Sequence, residues 1–244
     1  FSALSGFQLA TIIVIATAGT VFLMWLGELI TEKNIGNGVS IIIFAGIVAG
    51  LPTSMTRLFA VWDPSKLFSY IGFLAFALLV IAAVVFVTEG QRNIPVSYAK
   101  RVRGNRIYGG TSTHLPLRVN QAGVIPIIFA MSIMLFPGMI ANFFVNSDSA
   151  TIANIATSVA NLFKNQIFYG SIYFILVVAF TYFYTAVTFD PHQISENLQK
   201  QGGFVPGIRP GQNTSEYLAR VLNRITLAGA LFLGLIAVLP FVVQ

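Results

Sequence analysis

The first candidates for nucleophilic or metal chemistry in this 244-residue chain are the two histidines, His114 and His192, and Ser112, which lies close to His114; all three are in polar stretches. Ser112 and His114 stand two residues apart in GGTSTH, which invites comparison with a serine nucleophile and its base. No carboxylate lies in that stretch to orient the histidine, and Ser112 is not in a Gly-x-Ser-x-Gly turn. The two histidines are far apart in sequence, and neither has a partner at metal-ligand spacing. The sequence therefore predicts a protein that is not an enzyme, with no catalytic, cofactor-binding or metal-binding residue.

Coupled transport would need other chemistry. Glu28 and Glu89 stand at the ends of apolar runs, and no ionisable residue lies near the middle of one. A proton- or ion-coupled transporter usually needs a buried ionisable group. A small-solute secondary transporter is kept as the alternative function. Its midplane site would have to be built from scattered polar residues such as Thr17, Thr20 and Tyr182.

Charge chemistry is concentrated in the stretch Gln91–Ala122, which contains no acidic residue. Its six basic residues are Arg92, Lys100, Arg101, Arg103, Arg106 and Arg118. The chain has 14 basic and 8 acidic residues, so its net charge of +6 equals the charge of this stretch. Tyr98 and Tyr108 lie among the basic residues, which suits a partner rich in phosphate or carboxylate. Basic loops are also ordinary orientation signals and attract anionic headgroups, so charge alone leaves both interpretations open.

Long apolar runs flank this stretch and must position it. The chain is 56% hydrophobic and only 9% charged, whereas an ordinary soluble domain is about a quarter charged. Six runs approach the roughly 20 residues that cross a bilayer. The predicted spans are 9–27, 36–55, 67–88, 123–145, 167–189 and 225–243. We therefore predict an all-α polytopic membrane protein forming a single membrane domain over residues 1–244.

Loop charge predicts the orientation. Eleven of the basic residues fall in the loops that follow spans one, three and five, and three fall on the opposite side. The positive-inside rule places the eleven in the cytoplasm, so loops 89–122 and 190–224 are expected there and both ends of this chain outward.

Several short motifs predict where helices start, turn or kink. Asp63-Pro64 and Asp190-Pro191 each read as an N-cap followed by a proline in the first helical turn. Two prolines and two glycines bracket Arg209 in PGIRPG, which predicts a shaped turn presenting the guanidinium. Thr214 or Ser215 is expected to cap the next helix. Pro126 and Pro137 fall within the fourth run, where proline removes a backbone bond and kinks a helix.

Three longer motifs resemble a known family. They are GTVFLMWLGELITEKNIGNGVSIIIFAGIVAGLP (Gly19–Pro52), STHLPLRVNQAGVIPIIFA (Ser112–Ala130) and GGFVPGIRPG (Gly202–Gly211). Together they are similar to bacterial SecY, the family of central subunits of the protein-conducting channel, and the similarity extends over essentially the whole chain. The resemblance implies six helices of a ten-helix fold made of two inverted halves. It resembles spans four to nine, so we expect the first three spans, with the plug and one gate helix, and the tenth to lie outside this fragment.

The resemblance also implies functional residues and partners. An aliphatic ring that seals the pore is expected to include Val39, Ile43 and Ile128, and Pro126 and Pro137 are expected to kink a moving gate helix. The positions expected to dock the motor ATPase SecA or the ribosome, the latter through ribosomal RNA, are Lys100, Arg101, Arg103, Arg106 and Arg209. Asn105 departs from the family pattern, which has a second basic residue there. SecE and SecG are expected as further subunits, with a translocating polypeptide in the pore, membrane lipid around it, and the bacterial inner membrane as the location.

Overall fold

The structure, a computed structural model, describes residues 5–60, 63–98, 101–103, 106–108, 112–145 and 149–243. The helices in these ranges are α1 (Gly6–Glu32), α2 (Gly38–Ala49), α3 (Leu51–Ala60), α4 (Leu67–Glu89), α5 (Ile125–Phe144), α6 (Ala150–Lys164), α7 (Gln166–Thr188), α8 (Pro191–Lys200) and α9 (Gln212–Val243). The strands are β1 (Gln91–Tyr98), β2 (Arg101–Arg103), β3 (Arg106–Tyr108), β4 (Ser112–Arg118) and β5 (Gly203–Phe204). The chain divides within α4 into two compact units, Phe1–Leu74 and Ala75–Gln244.

Six helical segments of the described residues are long and apolar enough to cross a bilayer. They are Gly6–Glu32, Gly38–Arg57, Pro64–Glu89, Ile125–Phe144, Gln166–Lys200 and Gln212–Val243. Each overlaps one of the stretches predicted from sequence. The second segment continues past Pro52, which it must do to reach the length of a span, because its cleanly apolar run is short. The helix is interrupted at Gly50, between α2 and α3. The prediction of a helical polytopic membrane protein with six spanning helices is confirmed.

In the first unit, α1 and α2 form a tight helical hairpin. A Cβ atom built on Gly38 would lie 1.8 Å from the carbonyl oxygen of Gly27, so the two backbones touch where the helices meet. The Thr31 hydroxyl fixes this approach, because it donates to the Gly27 carbonyl at 2.9 Å and accepts from the Gly38 amide at 2.9 Å. Such close packing of small residues is how membrane helices associate in lipid.

Asp63 starts the next segment as the sequence predicts. Its carboxylate accepts from the Ser65 amide at 3.0 Å, and Pro64 opens a short 3₁₀ turn that leads into α4. The side-chain and backbone hydrogen bonds from Ser65 hold the pKa of Asp63 below its usual range.

In the second unit, α5, α7 and α9 share a buried apolar cluster. Its members are Ala130 and Met134 from α5, Tyr173 and Val177 from α7, and Leu233 from α9. Pro126 corrects the expectation of two kinks, since it occupies the second residue of α5, where its missing N–H costs no intrahelical hydrogen bond. Pro137 alone lies inside that helix. The amphipathic helix α6, which packs on α5 and α7, was not predicted from the sequence.

Candidate docking surface

The basic stretch folds as a β-hairpin. β1 and β4 pair antiparallel from Gln91 opposite Arg118 to Ser97 opposite Ser112. The side chains alternate between two faces, as a strand requires. Ile94, Val96 and Leu117 are buried on one face, and Arg118 and His114 are exposed on the other. Arg92 and Thr113 are also exposed, but they share the face of the buried residues, at its margins. The hairpin therefore has one largely apolar face that must pack on something and one polar face that carries Arg118 and His114.

A strand from the second loop joins this sheet. β5 pairs with β1 through Ser97 opposite Phe204 and Tyr98 opposite Gly203, which gives the strand order β4-β1-β5. β5 follows α8, whose start is capped by Asp190 through hydrogen bonds from the His192 and Gln193 amides at 2.8 and 3.4 Å. The two loops that the sequence treats as separate are thus one folded body. We call it the loop module: β1, β4, β5, α8, the turn 205–211 and the first three turns of α9.

The loop module has its own hydrophobic core. The buried members are Ile94 and Leu117 from the hairpin, Val205 after β5, and Leu218 and Val221 from α9. Ile194 of α8 and Ile208 of the turn pack against it. Because the hairpin, α8, the turn and α9 all contribute to this core, burial of apolar surface holds both loops to the first turns of α9.

The turn around Arg209 is built as the sequence predicts, but it is fixed by contacts that the sequence did not show. Gly207 and Gly211 have φ angles of 83° and 95°, which favour glycine. The buried Thr214 hydroxyl donates to the Arg209 carbonyl at 2.9 Å, and the Ser195 hydroxyl of α8 donates to the Gly211 carbonyl at 2.6 Å. The prediction that Thr214 or Ser215 caps the helix is wrong, because α9 begins at Gln212 and Thr214 lies inside its first turn.

The Arg209 side chain itself is exposed, and within the described ranges its guanidinium makes no hydrogen bond or ion pair. The one ion pair seen in those ranges joins Lys200 and Glu196 on α8 at 3.4 Å. An arginine held on a fixed turn and left without an internal partner can form a bidentate pair with an external carboxylate or phosphate.

The other predicted docking residues lie at the tip of the hairpin. Lys100 falls outside the described residues. Arg101 and Arg103 lie on β2, and Arg106 lies on β3. The register sets Arg103 opposite Arg106.

The predicted pore residues fall in different units. Val39 and Ile43 lie one turn apart on α2 of the first unit and are 50% and 43% exposed, and Val39 lies against Gly27 of α1. Ile128 lies in the first turns of α5 in the second unit and is 36% exposed. The sealing ring therefore stays a prediction.

Metal-type chemistry finds no support where the chain is described. Those residues contain no group of three or more His, Asp or Glu side chains that could hold a metal ion. His114 lies exposed on β4 and His192 lies exposed in the first turn of α8.

These features define a polytopic membrane protein whose two large loops form one folded module. The SecY family model matches residues 1–244. The Protein translocase subunit SecY of Thermotoga maritima is 51% identical over 228 residues, covering 93% of this chain and 50% of that protein. The proteins of the same name in Mycobacterium tuberculosis (46% over 240 residues, 96% and 53% covered) and Vibrio cholerae (48% over 227 residues, 91% and 51% covered) are also similar. The chain belongs to the SecY family.

Solved structures show the same fold. One, described as the structure of a protein conducting channel, matches with a TM-score of 0.53 at 18% identity and covers 100% of this chain and 65% of that chain. Another, of a SecY channel studied for its plug domain, matches with a TM-score of 0.51 at 17% identity and covers 99% and 66%. This chain spans about half the length of the relatives it matches.

Proposed function

We propose that this protein is the pore-forming subunit of a protein-conducting channel. It moves unfolded secretory proteins across the bacterial inner membrane and inserts membrane proteins into it. The observation that carries the proposal is the family match over all 244 residues, with relatives named as protein translocase subunits. The protein acts as a passive conduit, and SecA or the ribosome supplies the energy.

The character of the helices supports a conduit over the small-solute transporter. The ionisable residues lie at or beyond the ends of the apolar runs, so no charged group is available at midplane to couple transport to an ion. A ring of aliphatic side chains such as Val39, Ile43 and Ile128 suits a pore that must exclude ions at rest. It is dry and deformable, and it has no preference for any one polypeptide sequence.

The loop module is proposed to dock the energy source. Arg209 is exposed on a turn fixed by Thr214 and Ser195, and the basic hairpin tip stands in the same loop system. SecA would offer carboxylates to such a surface and the ribosome would offer the phosphates of its RNA. SecE and SecG are proposed as the other channel subunits.

The orientation is part of the proposal. With the loop module in the cytoplasm, the exposed Thr113 of β4 is reached from that side, and the exposed Ser149 before α6 is reached from outside. Single cysteines at the two positions, treated in intact cells and in inverted vesicles with a membrane-impermeant maleimide, test this. Labelling of Thr113→Cys in intact cells would show that the orientation is inverted.

Arg209 offers the sharpest test of docking. Arg209→Lys keeps the charge but loses the planar fork, and charge-assisted hydrogen bonds contribute about 1.5–3 kcal/mol. We therefore expect the lysine variant to bind SecA roughly tenfold or more weakly, and Arg209→Glu to bind more weakly still. The measurement is ATP-dependent transport of a secretory precursor by the intact channel in vesicles, normalised to the amount of channel, together with SecA binding.

Arg220→Lys is the matched control. Arg220 is also exposed and lies in the part of α9 that belongs to the loop module, but it is not held in a turn bracketed by prolines and glycines. It should transport normally. Normal transport by Arg209→Glu at normal abundance would exclude a docking role for Arg209. Absence of any ATP-dependent protein transport by the unaltered channel would refute the proposed function itself.

A further inference from the structure

Val119 occupies the junction between the loop module and the membrane helices. It follows the last residue of β4 and precedes the short link to α5. Its amide donates to the carbonyl of Gly90 at 2.8 Å, and Gly90 is the single residue between α4 and β1. This bond extends the hydrogen-bonded ladder of the hairpin to the residues that connect its two strands to the membrane helices.

The carbonyl of Val119 rests directly on the backbone of α9. A Cβ atom built on Gly229 would lie 2.4 Å from the Val119 oxygen and 3.3 Å from its carbonyl carbon. Real Cβ contacts essentially never fall under 3.0 Å, and the neighbour here is backbone rather than a flexible side chain. Only glycine at position 229 allows this contact between the helix and the link.

The chain on either side of Val119 is fixed. Two residues before it, Leu117 is fully buried against the loop-module core. After it, the Asn120 side chain accepts from the Gly123 amide at 2.9 Å, and Pro126 is buried in the first turn of α5. A displacement at Val119 therefore has no slack segment nearby to absorb it and must pass to the sheet and to α5.

We infer that the contact between Val119 and Gly229 is a pivot that couples the position of the β4-β1-β5 sheet to the start of α5. Moving the sheet about this point moves the first turns of α5, and the reverse also holds. The pivot stands on the contacts alone. Its role in transport would be to link the loop module to Ile128, nine residues after Val119, and this role rests on the proposed function.

The size of the expected movement follows from the geometry. Relieving the 2.4 Å approach to 3.0 Å requires a shift of about 0.6 Å at Val119. Leu117, the next fixed point, is roughly 7 Å from Val119, and the far end of β4 is roughly 24 Å away at about 3.4 Å per residue. A rotation about Leu117 then displaces the far end of the sheet by roughly 1.5 Å.

The test measures two distances in the intact channel in lipid nanodiscs by pulsed electron spin resonance. One nitroxide pair joins the sheet to α9, at Thr113 and Arg220, and the other joins the start of α5 to α9, at Val124 and Leu227. All four positions are exposed, and these 244 residues contain no cysteine to interfere. In Gly229→Ala we expect the mean distance of the sheet pair to change by about 1 Å and the mean distance of the α5 pair to change with it.

Gly72→Ala is the control, since nothing lies within 4 Å of a Cβ at this helical glycine, and both distances should stay unchanged. A change in one pair only, or in neither, overturns the pivot. Should Gly229→Ala fail to accumulate, Gly90→Ala decides, because its Cβ would lie 3.3 Å from the Val119 side chain, and 3.1 Å from the Phe86 carbonyl, without entering α9. It should shift both pairs by a smaller amount, and unchanged distances in that variant overturn the inference. Neither distance depends on transport, so failure of the pivot and failure of the proposed function are read separately.

Discussion

Replacing Leu218 by alanine should release the β1-β4 hairpin from the first turns of α9. Leu218 is fully buried, and it packs in one cluster with Ile94 and Leu117 of the hairpin and Val205 of the second loop. Leucine-to-alanine changes at such sites cost about 3–5 kcal/mol, because they combine lost transfer free energy with a residual cavity. Among the described residues, the strand pairing that joins the two loops consists of two residue pairs between β5 and β1.

The expected result is local opening rather than global unfolding. A loss of about 3 kcal/mol raises the population of the opened module roughly a hundredfold. Hydrogen–deuterium exchange of the intact channel, followed by mass spectrometry, should show that increase in peptides covering β1 and β4. Peptides from α7, whose buried residues belong to the separate membrane cluster, should exchange as before.

Leu227→Ala provides the matched control. Leu227 lies on the same helix, is 48% exposed, and belongs to neither buried cluster. It should leave exchange of the hairpin within about twofold, as expected for a position where truncation opens no cavity. Exchange of β1 and β4 that is equal in the two variants would refute the idea that a shared apolar core holds the loops together.

Two further predictions concern the membrane helices. Gly38→Ala should lower the midpoint of thermal unfolding of the purified channel, because its Cβ would overlap the Gly27 carbonyl. Gly46→Ala, on the same helix, should leave the midpoint unchanged, because nothing lies within 4 Å of a Cβ there. Equal midpoints for the two variants would contradict the tight crossing. The second concerns the three proposed seal residues, Val39, Ile43 and Ile128. Replacing all three by glycine in the intact channel should raise ion conductance through the resting pore in planar bilayers, and unchanged conductance would mean that these side chains do not line the seal.

The helices could be predicted because each carries its own signal. A run of about 20 apolar residues has one stable form in lipid, whatever its neighbours do, so composition alone indicates the spans. The strands carry a weaker signal that was missed. Ile94 and Val96 alternate with polar residues, as do Leu115 and Leu117, but Pro95 and Pro116 argue against strands. Both prolines are accommodated, because β4 is an edge strand and β5 pairs with β1 only beyond Pro95.

The turn at Arg209 shows where sequence reasoning ends. Its prolines and glycines indicate a shaped loop from local chemistry alone. The hydrogen bond from Ser195 crosses 16 residues, and the one from Thr214 comes from within the helix that was expected to begin at or after it. The pairing of β5 with β1 crosses more than a hundred residues. Contacts of this range depend on the assembled fold, and no local pattern announces them.

The loop module and the membrane helices are stabilised by different interactions, and this difference determines which contact transmits the proposed coupling. Outside the membrane, water drives Ile94, Leu117 and Leu218 together, so the loop module is held by burial. Within the membrane that driving force is absent, and close approach of backbones, as at Gly27 and Gly38, takes its place. Val119 stands at the boundary, with the buried core two residues before it and a backbone contact on α9 at its own carbonyl. In the proposed coupling, a docking partner that shifts the module would therefore act on a steric contact, which resists displacement steeply, and not on a deformable apolar surface.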